Sequence, residues 1–255
     1  MKPQNKNRVA SIPLTLLAIV CATVSPSFAQ EKEKVINPEA DRLLHDSCTR
    51  LTNAKGYSFK AEVWEDVVIG THKVSTTKTV AVQLRRPNGL QIDVHSPSRS
   101  RSFWYDGRSL TVLDRVKNLY GTVPAPATID NLIADANDKF GIDFPLEDFL
   151  ISDPYGTAKQ EITGGAYFGK VALLGTPCHQ VGFGTPKADF QLWISDDDGL
   201  PRKMVITYKQ EPTQPQVTAI FSDWNLKPQF SDGAFTFTPP KGAGKIEILP
   251  ATGSD

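Results

Sequence analysis

Three consecutive aspartates and a glycine, Asp196-Asp197-Asp198-Gly199, interrupt two apolar runs in "ADFQLWISDDDGLPRKMVITYK", residues 188–209. Adjacent carboxylates could hold a cation or serve acid–base chemistry. The flanking pattern points elsewhere. Phe190, Leu192 and Ile194 share one strand face, with Gln191 and Trp193 on the other. After the turn, Met204, Ile206 and Tyr208 alternate with Lys203, Val205 and Thr207. Alternation that runs into the acids from both sides marks a hairpin, and Asp-Gly is turn chemistry. The spaced acids and closing glutamate of a calcium loop are absent. The aspartates therefore read as a solvated hairpin tip.

Other chemistry-bearing patterns are weaker. "GGAYFGK", Gly164 to Lys170, has phosphate-loop spacing as far as its lysine, but Val171 stands where Ser or Thr would meet Mg²⁺. Its glycines read as relief for a turn and the strand behind it. His45, His72, His95 and His179 are scattered, with no H-E-x-x-H and no G-x-S-x-G. His45 and His72 read as solvated. Glu65 and Asp66 are neighbours on a strand and so point to opposite faces. The sequence predicts no metal site, no cofactor and no recognisable catalytic constellation. An active site assembled from distant residues, such as that of an exported hydrolase, is a third-ranked reading.

The compartment follows from the start of the chain. Lys2, Lys6 and Arg8 precede an apolar run from about Ile12 to Val24, and Ser27 and Ala29 have small-residue cleavage spacing. This is the layout of a secretory signal peptide over 1–29, cut after Ala29. Its apolar core is shorter than the roughly 20 residues of a membrane span. Cys21 lies within the segment to be removed. The whole chain has 28 Lys+Arg against 28 Asp+Glu; the leader holds three of the bases and no acid, leaving a net charge of −3. That is no electrostatic footprint for nucleic acid or an anionic membrane. The mature chain reads as a soluble periplasmic protein without stable membrane insertion, forming one domain over 30–250, with a disordered tail over 251–255. Cys48 and Cys178 remain after cleavage. In an oxidising compartment they can pair as a disulfide; the other reading is two buried free thiols.

"NPEADRLLHDSCTRL" predicts a helix capped by Asn37 with Pro38 at its first position; Ala40, Leu43, Leu44, Ser47, Cys48 and Leu51 share one face, and Lys55-Gly56 ends it. From Tyr57 the period changes to two. A meander of antiparallel strands follows, with hairpin turns at Pro87-Asn88-Gly89 and Asp106-Gly107. Two helices interrupt it. One carries Ile129, Leu132, Ile133, Ala136 and Phe140 behind a Thr128 cap and closes at Gly141. The other opens at Pro145 with Leu146, Phe149 and Leu150. Strands then resume to about Leu226. Apolar helices inserted into such a sheet must bury against it. Trp64, Trp104, Trp193 and Trp224 all fall in strand-like segments, where core packing is the ordinary role of a tryptophan. Taken together with Leu132, Ile133, Phe140 and Phe149, they could line an apolar cavity between sheet and helices.

Several long stretches resemble one bacterial family: "FWYDGRSLTVLD", "KNLYGTVPAPATIDNLIADANDKFGIDFPLEDFLISDPY", "GTPCHQVGF" and "DFQLWISDDDGLPRKMVITYK", with "DWN" and "FTFTPPKGAGKIEI". They look like the "predicted periplasmic protein" domain-of-unknown-function family, catalogue number two thousand and ninety-two, from about Asn37 to Leu249. The order of elements also resembles the lipoprotein-carrier (LolA/LolB-like) superfamily. That resemblance implies a mainly β fold: an open, strongly bent antiparallel sheet, a half-barrel, with the N-terminal helix and two middle helices plugging its concave side. It further implies a periplasmic binding or carrier protein for a lipid or a lipoprotein acyl chain. The alternative is a non-catalytic envelope module with a filled core that binds a partner protein through a sheet edge.

Overall fold

Period-two patterning dominates the chain, and the computed structural model, which describes residues 34–97 and 99–251, is accordingly mainly β. The predicted leader and its cleavage after Ala29 lie outside the described residues, as does the tail beyond Ala251. The elements run β1 (Val35–Ile36), α1 (Pro38–Asn53), β2 (Gly56–Ile69), β3 (His72–Arg85), β4 (Gly89–His95), β5 (Ser100–Tyr105), β6 (Ser109–Asp114) and β7 (Leu119–Pro124). There follow α2 (Ile129–Phe140), a single 3₁₀ turn (Glu147–Phe149), α3 (Pro154–Glu161), β8 (Gly164–Leu173), β9 (Thr176–Gly184), β10 (Ala188–Ser195), β11 (Pro201–Tyr208), β12 (Gln216–Asn225) and β13 (Gly244–Lys245).

The strands form one sheet in the order β1-β8-β9-β10-β11-β12-β2-β3-β4-β5-β6-β7-β13. Its ends do not meet, so it is open, and it is bent around the helices. Every pairing is antiparallel except the two-residue edges, β1 on β8 and β13 on β7. Chain order is preserved within each half because successive strands pair as antiparallel neighbours; β12 closes the halves together against β2.

Cross-strand partners point to the same side, so the register separates two faces. Tyr57, Phe59, Ala61 and Val63 of β2 share the inner face with Leu84, Val82 and Val80 of β3, Leu90 and Ile92 of β4, and Phe103 and Tyr105 of β5. Met204, Ala219 and Phe221 continue it on the other side. The three helices pack on this face: Ala40, Leu43, Leu44 and Leu51 of α1 and Ile129, Leu132 and Ala136 of α2 are buried in one core with it.

The helix ends follow the sequence closely where capping chemistry is present. The Asn37 side chain accepts from the Glu39 and Ala40 amides at 3.0 and 3.1 Å. Thr128 caps α2, and Gly141, at φ 59°, ends it in the left-handed conformation. The second predicted helix does not form. Leu146 is left-handed at φ 58°, and the segment contracts to the 3₁₀ turn. The third helix instead begins at Pro154, capped by Asp153. It buries no residue fully, so no apolar stripe announced it.

Beyond β12 the chain crosses the outer face, where Phe235 stacks on Gly89 and Arg85 and Phe237 lies 5.0 Å from Trp104. It turns at the β7 edge through β13 and returns to the inner side, where Ile248 occupies the space beside Gly121. Ala251, the one described residue of the predicted tail, donates to the Lys139 carbonyl at 2.8 Å.

Candidate functional site

Along β2 and β12, neighbours in the sheet, the inner-face rings give way to smaller side chains in the same direction. β2 reads Tyr57, Phe59, Ala61, Val63, Glu65, Val67, and β12 reads Phe221, Ala219, Val217. At the large end, aromatic rings fill the space. Phe59 and Trp224 have centroids 4.5 Å apart, Phe149 and Phe221 4.8 Å, and Tyr57 and Trp224 6.3 Å. At the small end nothing replaces them, and a cavity of about 1030 Å³ opens. Its floor is Val63, Val94, Phe103, Met204, Ile206 and Val217; Phe144, Pro145 and Leu146 overhang it. The volume is at the upper end of ordinary small-ligand sites.

The overhang is a strap between α2 and α3, pinned on both sides of the cavity. On the α2 side, the Asn137 amide donates to Asp143, and Phe144 lies edge-on to Phe103 at 5.4 Å. On the α3 side, the Tyr57 hydroxyl donates to the Phe149 carbonyl, and Arg86 donates to the Ile151 carbonyl at 2.8 Å. Burial pushes the Tyr57 phenol up to about 12, so it keeps the proton it donates. Residues 145–148 make no hydrogen bond to the sheet among the described residues, although Leu146 packs against the core, and Leu146 holds a positive φ that non-glycine residues adopt at a cost.

Charge surrounds the cavity mouth. Glu65 and Lys78 pair at 2.6 Å on the inner face. Glu147 and Asp148 face the cavity from the strap, and Arg99 and Arg101 from the β4–β5 corner. Asp148 is exposed at the cavity, and partial desolvation by the surrounding protein raises its carboxyl above the ordinary range. Glu147 is raised by desolvation first, then by Asp148 and Asp143.

The residues expected to line one cavity are dispersed, and none of the eight lines this one. Trp64, Trp104 and Trp193 lie on the outer face, opposite Thr77, Gln91 and Lys203. Trp104 is covered by Phe237 and Arg115, and Trp193 carries the Lys203 ammonium 4.6 Å above its ring. Trp224 does reach the inner side. Alternation from Phe221 would send it outward, but a bulge between Ser222 and Asn225, with Asp223 at φ 54°, turns it in. Its indole N–H donates to the Pro201 carbonyl at 2.8 Å. Phe149 packs beside it; Leu132, Ile133 and Phe140 belong to the α2 packing. The face of β10 that looks inward is that of Phe190, Leu192 and Ile194. The residues missed were Met204 and Ile206 of β11, Val217 of β12 and Phe144 and Pro145 of the strap; only β12 carried a signal, the drop from Phe221 to Ala219 and Val217.

Cys48 and Cys178 are free thiols, so the disulfide considered from their number is not made here. Burial pushes the Cys48 thiol up to about 12 and raises Cys178 as well, which suppresses the thiolate. The aspartates do form the β10–β11 hairpin tip, but two of them are engaged rather than merely solvated. Asp198 accepts from Arg202 at 2.6 Å, and Asp196 accepts from Lys170 while meeting His179 Nε2, both at 2.8 Å. His179 Nδ1 is 2.9 Å from the Tyr167 hydroxyl. "GGAYFGK" is strand β8 with a bulge at Gly169, φ 103°; a Cβ at Gly165 would strike Phe183. Among the described residues, no group of three or more His, Cys, Asp or Glu is placed to hold a metal ion.

Residues 40–249 match the family described as predicted periplasmic protein (DUF2092), and the chain belongs to that family. The periplasmic location expected from the leader agrees with that description. No curated protein matches. Among solved structures, an uncharacterized conserved protein from Thermus thermophilus is 10% identical at a TM-score of 0.46, covering 82% of this chain and 99% of its own. The Mycobacterium tuberculosis lipoprotein LppX is 10% identical at 0.44, over 77% and 100%. A LolA superfamily protein from Nitrosomonas europaea is 9% identical at 0.39, over 78% and 97%. Among the described residues, no helix is long and apolar enough to cross a membrane.

Proposed function

We propose that this member of the predicted periplasmic protein family is a non-catalytic binding or carrier protein for an amphiphile. Its acyl chain would lie in the cavity between the inner face and the strap. One observation carries the reading: a cavity of about 1030 Å³ with an apolar floor, set where the rings of β2 and β12 give out. Each CH₂ buried there would contribute about 0.8 kcal/mol. The strap supplies the cover. It has left-handed residues at Gly141 and Leu146, and anchors at Phe144 and Phe149 on either side of the span that lies over the opening.

The protein purified from the periplasm is expected to release lipid on extraction and to show a lipid-bearing species by native mass spectrometry. It should also take up a fluorescent fatty acid. Val217→Phe, which puts a ring into the cavity, should abolish that uptake while leaving the circular dichroism spectrum unchanged. Absence of both bound lipid and uptake would sink the proposal. It would leave the alternative of an envelope interaction module, which the solidly packed aromatic end favours.

A further inference from the structure

The charges at the cavity mouth define the headgroup, given the apolar-chain reading above. Four charged side chains face this cavity without a hydrogen bond or ion pair from their side chains among the described residues: Arg99 and Arg101 on the sheet, Glu147 and Asp148 on the strap. Had the two walls been close enough, these opposite charges would pair with each other; no nitrogen of either arginine comes within 4.0 Å of either carboxylate. The neighbouring Glu65 and Lys78 line the same cavity and do pair, at 2.6 Å. Two unpaired charge clusters of opposite sign thus border one opening and are held apart.

A purely apolar ligand would cover these charges and offer them nothing, which is costly. A fatty acid would answer the arginines and leave two adjacent carboxylates beside buried hydrocarbon. A zwitterion answers both walls. Guanidinium groups suit phosphate or carboxylate oxygens, and a compact ammonium with three donors suits a carboxylate pair. The raised carboxyls of Glu147 and Asp148 fit this polarity, because a cation placed beside them would attract both and would offset the repulsion that Glu147 bears from Asp148 and Asp143. A quaternary ammonium has no N–H to donate and fits less well.

We infer that the cavity selects an amphiphile whose headgroup carries both a primary ammonium and an anion, the ammonium at Glu147 and Asp148 and the anion at Arg99 and Arg101. Phosphoethanolamine lipids and acylated amino acids share this chemistry, so the test includes both. Binding to the mature protein would be measured calorimetrically, below micelle formation, for ligands with one common acyl chain. These are lysophosphatidylethanolamine, lysophosphatidylcholine, lysophosphatidylglycerol, Nα-acyl-lysine and the free fatty acid.

One or both primary-amine zwitterions should bind about tenfold tighter than the choline, glycerol and fatty-acid forms, the effect of a charge-assisted contact. The double variant Glu147→Gln/Asp148→Asn should erase that preference without weakening the glycerol form. Arg99→Gln/Arg101→Gln should weaken every anionic headgroup about tenfold. Equal affinity for all five ligands would overturn the headgroup inference and leave the apolar site standing. No binding by any of them would overturn the site itself.

Discussion

The two ends of the inner face are built on the same strands and differ in what those strands carry. At one end Tyr57, Phe59, Phe149, Phe221 and Trp224 pack ring against ring, and the sheet is sealed. A few residues further along β2 and β12, Val63 and Val217 face the same side and border open space. The β2–β12 pairing is continuous from Val217 to Ser222, so what separates core from cavity is the side chains those strands carry, with Trp224 brought in by the bulge beyond Ser222 and Phe149 by the strap. Close-packed interiors tolerate few voids. A cavity of this size beside a tightly packed cluster is therefore bordered by a rigid wall on one side and the sparsely anchored strap on the other.

Truncating the packed end should cost most. Phe59→Ala is expected to lose about 3–5 kcal/mol in urea unfolding, since its ring contacts four others. Val217→Ala, on the same inner face but at the cavity wall, should cost about 1 kcal/mol or less, because it borders space already empty. Equal losses would break the comparison.

The next effect tests the strap. Tyr57→Phe removes the hydroxyl that donates to the Phe149 carbonyl and should cost about 1–2 kcal/mol. It should also speed proteolysis within residues 141–151. Unaltered cleavage there would mean that the strap is held by packing alone.

The smallest effects are electrostatic and opposite in sign. Asp148 has its folded-state carboxyl raised by burial, so ionising it opposes folding once the pH passes the reference value of 3.8, and fully so above its folded value. Asp148→Asn should raise Tm at pH 7 and change nothing at pH 3. Asp196 is lowered, chiefly by the Lys170 hydrogen bond and then by His179, so its stabilisation is present above 3.8 and lost as pH falls through its folded value. Asp196→Asn should lower Tm at pH 7, with the difference fading in acid. Thermal scans of both variants from pH 3 to 7 would show whether the strap carboxylate and the hairpin carboxylate respond in opposite directions.

Local chemistry was legible where it acts over a few residues. The Asn37 and Thr128 caps and the β10–β11 turn follow from side chains that satisfy nearby backbone groups, and the Gly141 stop from a left-handed backbone that glycine adopts freely. The second middle helix was misread because an apolar spacing of Leu146, Phe149 and Leu150 fits a helix, while long-range anchoring to Tyr57 and Arg86 holds the segment as a strap. The tryptophans were misread for a related reason. Composition marks them as large and apolar, but their face depends on register, and a single bulge moves Trp224 from one side to the other.

By itself the sequence determined the strand and helix periods, most of the turns, the expected export and the family. These are set by alternation, capping and motif, all of which act within a few residues or along a contiguous stretch. Only the tertiary structure decided where the empty space lies. A cavity is a deficit of volume shared by strands far apart in the chain, and it appears only when cross-strand register brings Val63, Met204, Ile206 and Val217 together beneath a strap pinned from elsewhere.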